Sequence, residues 1–150
     1  MKNLTEHLEK AKARAKNKGK LKFDVNDEDE CLQAVEEDGD SLQFIKNPSK
    51  AVKLAAVKSS GYAIRYIKHP SEELQLAAIE KDYLSIVVLI PACEKAQLAA
   101  IEKDAEAIQF INKPTEAAII EAVRKDKENI QYVDVRKLSE GTKEVLMFLI

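Results

Sequence analysis

The sequence predicts an all-α fold: an α-solenoid of five helix-turn-helix repeats, each 22 residues long, closed by a carboxyl-terminal capping helix. The segments LQLAAIEKD and AQLAAIEKD, beginning at Leu74 and Ala96, are nearly identical and lie 22 residues apart. The period continues without insertions over five units that begin at Asp29, Ala51, Glu73, Lys95 and Ala117. Each unit repeats one pattern of apolar positions, and self-similarity at a fixed period is typical of repeat architectures.

The first helix of each unit, about nine residues long, is predicted from apolar spacing. Positions 4 and 7 are apolar in every unit, and a spacing of three places both on one helical face. Position 6 is alanine throughout, as Ala34, Ala56, Ala78, Ala100 and Ala122. We interpret this column as a site of approach too close for a larger side chain. Such short helices are marginal alone, so their stability must come from the stacking of neighbouring units.

A second helix of about seven residues is predicted from positions 14 and 17, which are again apolar and three apart. It follows position 10, where a short polar side chain can serve as N-cap, namely Asp38, Ser60, Asp82, Asp104 and Asp126. The next unit's first helix is capped from position 21, which holds Ser49, Ser71 and Thr115, each after a proline. A leucine-rich repeat, which contains a β-strand in each unit, has a similar period but requires leucine where alanine stands here. With that fold excluded, the register of the unit places the run SIVVLI in the second helix of the third unit.

The carboxyl-terminal segment 139–150 resembles half a unit whose register has slipped by two residues. Ser139 is its predicted N-cap, and Val145, Leu146 and Leu149 are predicted to cover the last stack. Its apolar residues exceed one helical stripe, so the run Val145–Ile150 either caps the core or pairs two chains as a homodimer.

The amino-terminal side is predicted to close the array with a cap and apolar cover formed by Leu21, Phe23, Val25 and Asp27. The domain boundaries are 1–28 for a basic arm and an acidic segment, 29–138 for the array, and 139–150 for the capping helix.

The charge is unevenly distributed along the chain. Residues 1–20 carry seven basic and two acidic side chains, whereas residues 21–40 carry one basic and nine acidic side chains. A lysine-rich arm can bind phosphates without reading sequence, so a nucleic-acid-binding module using this arm with Arg65, Lys68 and His69 is the alternative function. The arm is also consistent with a solvated helix or a partner of the acidic run. That run lacks the glycine and terminal glutamate of an EF-hand loop, so no calcium site is predicted.

No catalytic, cofactor or metal site is predicted. Cys31 and Cys93 occupy different positions of the unit, and no cysteine or histidine has metal-ligand spacing. His7 in the basic arm and His69 in a turn have no neighbouring chemical assistant, and the glycines form no phosphate-binding loop. We therefore expect a non-enzyme without cofactors, whose cysteines are structural thiols.

Composition excludes further classes and bears on location. Four glycines, four prolines and only 5% aromatic residues disfavour a β-sandwich, a collagen-like chain and a long disordered tail. The longest apolar run, 86–92, is far shorter than the roughly 20 residues that span a bilayer. The amino terminus lacks the apolar stretch of a secretory signal, so we expect a cytoplasmic protein with no membrane partner.

Partner-binding residues are sought among positions that stacking does not fix. Position 15 lies between two apolar positions, and its residue type varies among the units. It provides the candidates Gln43, Arg65, Val87, Gln109 and Gln131. The third unit departs most from the pattern, with Val88 in the aromatic column at position 16, Cys93 as the cap, and Ile90 at an otherwise polar position. An exposed apolar turn often marks an interface, which adds Ile90 to the candidates, although local repacking also explains it. The alternative for the variable positions is a solvated face.

The unit LAAIEKDAEAIQFINKPTE, which begins at Leu98, resembles the short α-helical repeats of unknown function found in large bacterial effector proteins and in some phage sequences. The resemblance covers Asp29 to about Leu138. It implies an all-α repeat module that mediates protein–protein interaction, and it transfers no catalytic residue. By analogy, a small array of this kind is a phage-type or accessory protein that engages a host factor.

Overall fold

The computed structural model describes residues 23–150, which form α-helices and 3₁₀-helices and contain no β-strand. The α-helices are α1 (Glu28–Glu37), α2 (Lys50–Ser59), α3 (Glu72–Lys81), α4 (Glu94–Lys103), α5 (Glu116–Lys125) and α6 (Glu140–Leu149). The 3₁₀-helices are η1 (Gly39–Phe44), η2 (Gly61–Tyr66), η3 (Tyr83–Val88), η4 (Ala105–Phe110), η5 (Lys127–Tyr132) and η6 (Val135–Lys137). The predicted all-α solenoid is confirmed.

The second helix of each unit is a 3₁₀-helix of six residues rather than an α-helix. In η2 the amide of Ala63 donates to the carbonyl of Ser60 at 2.9 Å, the i to i+3 bond of this helix type. Residues three apart eclipse each other in a 3₁₀-helix, so positions 14 and 17 both face the core. Ile86 in η3 and Leu89, which follows the end of η3, are accordingly buried. Residues 85–88 of the run SIVVLI lie in η3, and its last two residues form the turn that follows, so no part of the run is a strand.

The units stack in two layers, one of α-helices and one of 3₁₀-helices. Each α-helix contacts the next α-helix, η1 to η5 contact one another in order, and each of η1 to η4 also contacts the α-helices of its own unit and of the next unit. The apolar core lies between the layers. The first five α-helices begin 22 residues apart and α6 begins two residues late, as predicted, because η6 occupies the extra turn.

The alanine column lies where successive units approach most closely. From the second unit to the fifth these alanines have no solvent exposure. A Cβ added at Gly39, the first residue of η1, would lie 2.5 Å from the carbonyl oxygen of Ala56 in the next unit. The start of a 3₁₀-helix therefore abuts the alanine of the following α-helix, which explains why position 6 is small.

Most predicted caps are confirmed by hydrogen bonds. Ser49, Ser71, Thr115 and Ser139 each accept a bond from the backbone amide three residues on, at 3.2–3.4 Å. The aspartates at position 10 accept bonds from the amide two residues on, as Asp38, Asp82, Asp104 and Asp126. The prediction is wrong for Ser60, which makes no side-chain cap bond, since a hydroxyl closes such turns more weakly than a carboxylate.

The carboxyl-terminal helix α6 covers the last unit with fewer residues than predicted. Leu146 is buried and Leu149 packs against the same core cluster, but Val145 is exposed. Val145 is one residue before Leu146, so the two side chains point about 100° apart around the helix, and only one can face the stack.

At the amino-terminal side, Phe23 packs against the core of the first two units, and Asp27 caps α1 by accepting a bond from the amide of Glu30 at 3.0 Å. Val25 is half-buried without joining that core cluster. Leu21, His7 and the basic arm lie outside the described residues. Along 23–150, no helix has the length and apolar character needed to cross a membrane.

Candidate partner-binding surface

The position-15 candidates form one row on the outer side of the 3₁₀ layer. Each is the fifth residue of its 3₁₀-helix, and these helices contact one another in order along the array. Four of the five are exposed and Val87 is half-buried, in the order Gln43, Arg65, Val87, Gln109 and Gln131. The fold therefore aligns the residues that the sequence singled out.

A second row of larger side chains lies beside it at position 16, the last residue of each 3₁₀-helix. Phe44, Phe110 and Tyr132 are 47%, 39% and 42% exposed, while Tyr66 and Val88 are half-buried. We call positions 15 and 16 of η1 to η5 the outer stripe. All four of these aromatics occupy position 16 in the sequence, but the pattern did not indicate which of them are exposed. The signal was present, because burying positions 14 and 17 of a 3₁₀-helix turns the two residues between them outward.

Arg65 is the most constrained residue of the outer stripe. Its guanidinium forms an ion pair with Asp40 of the first unit at 3.1 Å and lies 4.7 Å from the ring centroid of Tyr66. It also donates a hydrogen bond to the Tyr66 hydroxyl. Burial raises the pKa of Tyr66, and this hydrogen bond opposes the rise. Arg65 therefore joins two units and has part of its charge compensated.

On the opposite side, the α-helices of neighbouring units are joined by ion pairs. Lys103 reaches Glu80 at 3.1 Å, and Lys125 reaches Glu102 at 2.9 Å. Both lysines also donate to the backbone carbonyl of the same partner, which belongs to the end of the preceding α-helix. These pairs are exposed and stabilise by about 0–1 kcal/mol each. The four charged residues of these two pairs, which occupy positions 8 and 9, are thus engaged within the array.

Two buried glutamines were missed by the sequence reasoning. Gln97 donates to the carbonyl of Ala92 at 3.0 Å and accepts from the amide of Thr115 at 2.8 Å. Gln75 binds Pro70 and Cys93 in the same way, at 3.1 and 2.8 Å. Each amide joins the turn before its helix to the turn before the next helix. The other three units hold Cys, Lys or Ile at this position, so the column showed no pattern.

Several titratable groups among residues 23–150 have shifted pKa values. Burial, together with the carboxylates of Asp27 and Glu28, raises the pKa of the Cys31 thiol, which is the reverse of what a nucleophilic cysteine requires. Burial chiefly raises the pKa of Tyr62 to about 12. The Tyr83 hydroxyl donates to Asp104 of the next unit at 2.9 Å, a bond that raises the Tyr83 pKa. Within 23–150, no group of three or more potential ligands is placed to hold a metal ion.

The third unit opens a cavity at one edge of the outer stripe. Ile90 is 68% exposed and lines a cavity of about 500 Å³ between the turns of the second and third units. Arg65, Lys68 and His69 line the same cavity. The structure therefore brings together two partner-binding candidates and the basic residues of the nucleic-acid alternative. The other candidates, at Gln43, Val87, Gln109 and Gln131, are not part of the lining.

Comparisons with protein-family models, with curated proteins and with solved structures found no match.

Proposed function

We propose that this chain is a non-catalytic helical repeat protein that binds a protein partner through the outer stripe. The observation that carries the proposal is the row of large apolar side chains that stays exposed although the fold has a buried core, above all Phe44, Phe110 and Tyr132. Exposed aromatics next to polar side chains are the composition that protein interfaces favour. Following the resemblance of the repeats, the proposed role is that of a phage-type or accessory protein engaging a host factor.

The arrangement of charges also supports a partner on this side. Ion pairs between units engage the α-helical side, including Lys103 with Glu80 and Lys125 with Glu102. The outer stripe instead presents a glutamine amide beside an aromatic ring in the first, fourth and fifth units. Such a surface suits an extended partner that runs along several units, as the long faces of solenoids do.

The test compares three purified proteins as bait in lysate of the source organism. One is the unmodified chain, and the second carries Phe44→Ser, Phe110→Ser and Tyr132→Ser. The third is a control with Lys58→Ser and Lys81→Ser, two exposed residues of the α-helical side. We expect the unmodified chain and the control to retain the same proteins, identified by mass spectrometry, and the stripe variant to lose them. Equal retention by all three, with folding verified by circular dichroism, would contradict the proposal.

The alternative is a nucleic-acid-binding module that uses the basic arm. Its supporting observation is that Arg65, Lys68 and His69 meet at one cavity. Binding of a labelled oligonucleotide must then weaken steeply as salt rises, because phosphate contacts release counterions. Weak binding that is independent of salt contradicts this alternative.

A second proposed interface is the outer side of α6, where two chains would form a homodimer through Val145–Ile150. Its support is the exposure of Met147 and Phe148, at 75% and 92%. Large apolar side chains exposed to this degree on one helix are typical of interaction sites.

A further inference from the structure

The cavity between the second and third units has a buried apolar floor and an open, basic rim. Ile64 and Leu89 form the floor with Gln75, and all three are buried. The side-chain amide of Gln75 is already engaged, since its nitrogen donates to the carbonyl of Pro70 and its oxygen accepts from the amide of Cys93. The floor therefore offers apolar contact rather than unsatisfied polar groups. Its volume of about 500 Å³ falls in the range of sites that enclose a ligand group.

An interruption of the aromatic column accompanies this cavity. Position 16 holds phenylalanine or tyrosine in four units, and the smaller Val88 in the third. Val88 lines the cavity, as does Ile90, whose position is polar in the other units. Two residues by which the third unit departs from the repeat thus form part of the lining, and we expect a larger side chain at position 16 to occupy part of the cavity.

The rim favours a negatively charged ligand. Arg65, Lys68 and His69 contribute to the lining, which contains no acidic residue. The charge of Arg65 is partly compensated by Asp40, whereas Lys68 is exposed and its ammonium group forms no hydrogen bond or ion pair with residues 23–150. A carboxylate at the rim would therefore meet an uncompensated ammonium group next to an apolar floor.

We propose that the cavity binds an acidic peptide segment of a protein partner, with one bulky apolar side chain on Ile64 and Leu89 and a flanking carboxylate at Lys68. The inference rests on the proposed protein-binding function and specifies its anchor. An apolar anchor that fills a pocket inside a polar rim is the arrangement in which a few residues dominate binding. We propose an acidic segment rather than a basic or neutral one, because only a carboxylate would form an ion pair with Lys68.

The experiment measures binding of the full chain to an array of labelled peptides. Each peptide has one central Leu, Ile, Phe or Trp, flanked on both sides by Asp and Glu, by the matching Asn and Gln, or by Lys. We expect at least one acid-flanked peptide to bind tenfold more tightly than its amide counterpart, and the lysine-flanked peptides to bind least. The absence of any acid preference, or of any binding at millimolar concentration, would overturn the inference.

Three variants locate the binding site. Val88→Phe restores the aromatic of the other units, fills the cavity and should weaken binding at least tenfold. Lys68→Gln keeps the exposed side chain but removes its charge, and should abolish the preference for acid over amide. The control is Lys46→Gln, because Lys46 is an exposed lysine at the same position of the first unit, outside the cavity. It should bind like the unmodified chain, and equal binding by all three variants would refute the site.

A single-stranded oligonucleotide is tested as competitor. Its displacement of the peptides, together with its own loss of binding in Val88→Phe, would assign the cavity to nucleic acid and overturn the inference. This outcome is separate from failure of the proposed function. If the peptides fail while the stripe variant still loses its captured proteins, only the cavity inference falls.

Discussion

At the scale of single residues, the alanine at position 6 sets the distance between units. Ala78 is fully buried, and a Cβ at Gly61 of the preceding unit would lie 2.7 Å from its carbonyl oxygen. Ala78→Leu adds three carbons to this contact and should lower the free energy of unfolding by roughly 1–3 kcal/mol through overpacking. Denaturant titration measures the loss, and Ala117→Leu is the control because Ala117 lies exposed on α5. An unchanged transition midpoint for Ala78→Leu would show that this site is not tightly packed.

Substitution of the glycine at the start of a 3₁₀-helix tests the same contact between units, because this glycine lies against the alanine at position 6 of the next unit. A Cβ at Gly61 would overlap the Ser85 hydroxyl oxygen and lie close to the carbonyl oxygen of Ala78, so neighbouring atoms must shift. We expect Gly61→Ala to destabilise by roughly 1–3 kcal/mol. Gly141 of α6 has no atom within 4 Å of the added Cβ, so Gly141→Ala should stabilise by about 0.5–1 kcal/mol. Equal effects of the two substitutions on melting temperature would refute the close approach at Gly61.

The start of α6 is hydrogen-bonded to the carboxylate of Glu116 on α5. Glu116 accepts hydrogen bonds from the Thr142 hydroxyl at 2.6 Å and from the amide and hydroxyl of Ser139 at 2.7 and 2.8 Å. These bonds, first of all that from Thr142, lower the pKa of Glu116 below its ordinary value of 4.5. An acid with a lowered pKa stabilises the fold above its unfolded-state pKa, and this contribution is lost as the pH falls through the folded-state value.

Glu116→Gln should therefore remove part of the pH dependence of stability. Thermal melts from about pH 7 to about pH 3 should show the largest loss of stability near neutrality, and the variant should converge on the unmodified chain at low pH. Glu144→Gln is the control, since Glu144 lies exposed on α6 and its side chain forms no hydrogen bond with residues 23–150. A constant difference between Glu116→Gln and the unmodified chain at every pH would contradict this role.

At the scale of elements, α4 is the one helix among α1 to α6 whose N-cap makes no side-chain bond. Its cap residue Cys93 has the same extended backbone as the Ser71 cap, so a serine hydroxyl fits there without rearrangement. We expect Cys93→Ser to raise stability by about 0.5–1 kcal/mol, and Thr115→Ala to lower it by about 1 kcal/mol through loss of an existing cap. Chemical denaturation measures both, and a destabilised Cys93→Ser would mean that the packing of the thiol against the core matters more than the cap.

The elements also show what the sequence could predict. The alanine column and the apolar pairs at positions 4 and 7 predicted the first helices, because an ungapped period leaves one register for all units. A spacing of three at positions 14 and 17 fits an α-helix and a 3₁₀-helix equally, so the type of the second helix was not decided by the pattern. The exposure of Phe110 depends on the second helix being a 3₁₀-helix, so the sequence pattern did not predict it. The cavity was not predictable either, since it depends on which turns lie side by side.

At the scale of the whole molecule, the two ends of the array expose different chemistry. The amino-terminal side is acidic, with Asp24, Asp27, Glu28, Asp29 and Glu30 all exposed. The carboxyl-terminal side presents the apolar residues Met147, Phe148 and Ile150 of α6 and its end. Because each α-helix of the array contacts the next, α6 has a neighbour on its α5 side and exposes apolar groups elsewhere. Like apolar surfaces can bury each other, so self-association is expected at α6.

Sedimentation velocity over a series of protein concentrations tests this arrangement. The unmodified chain should shift from monomer towards dimer as concentration rises, and Met147→Ser with Phe148→Ser should stay monomeric, because an isologous interface loses both sets of apolar contacts at once. Phe110→Ser is the control, since it removes an exposed aromatic from the outer stripe and leaves α6 unchanged. If Phe110→Ser alone abolishes the dimer, the chains pair through the outer stripe. That result would make a second copy the occupant of the proposed partner surface, while a monomer at all concentrations would leave α6 without a role in self-association.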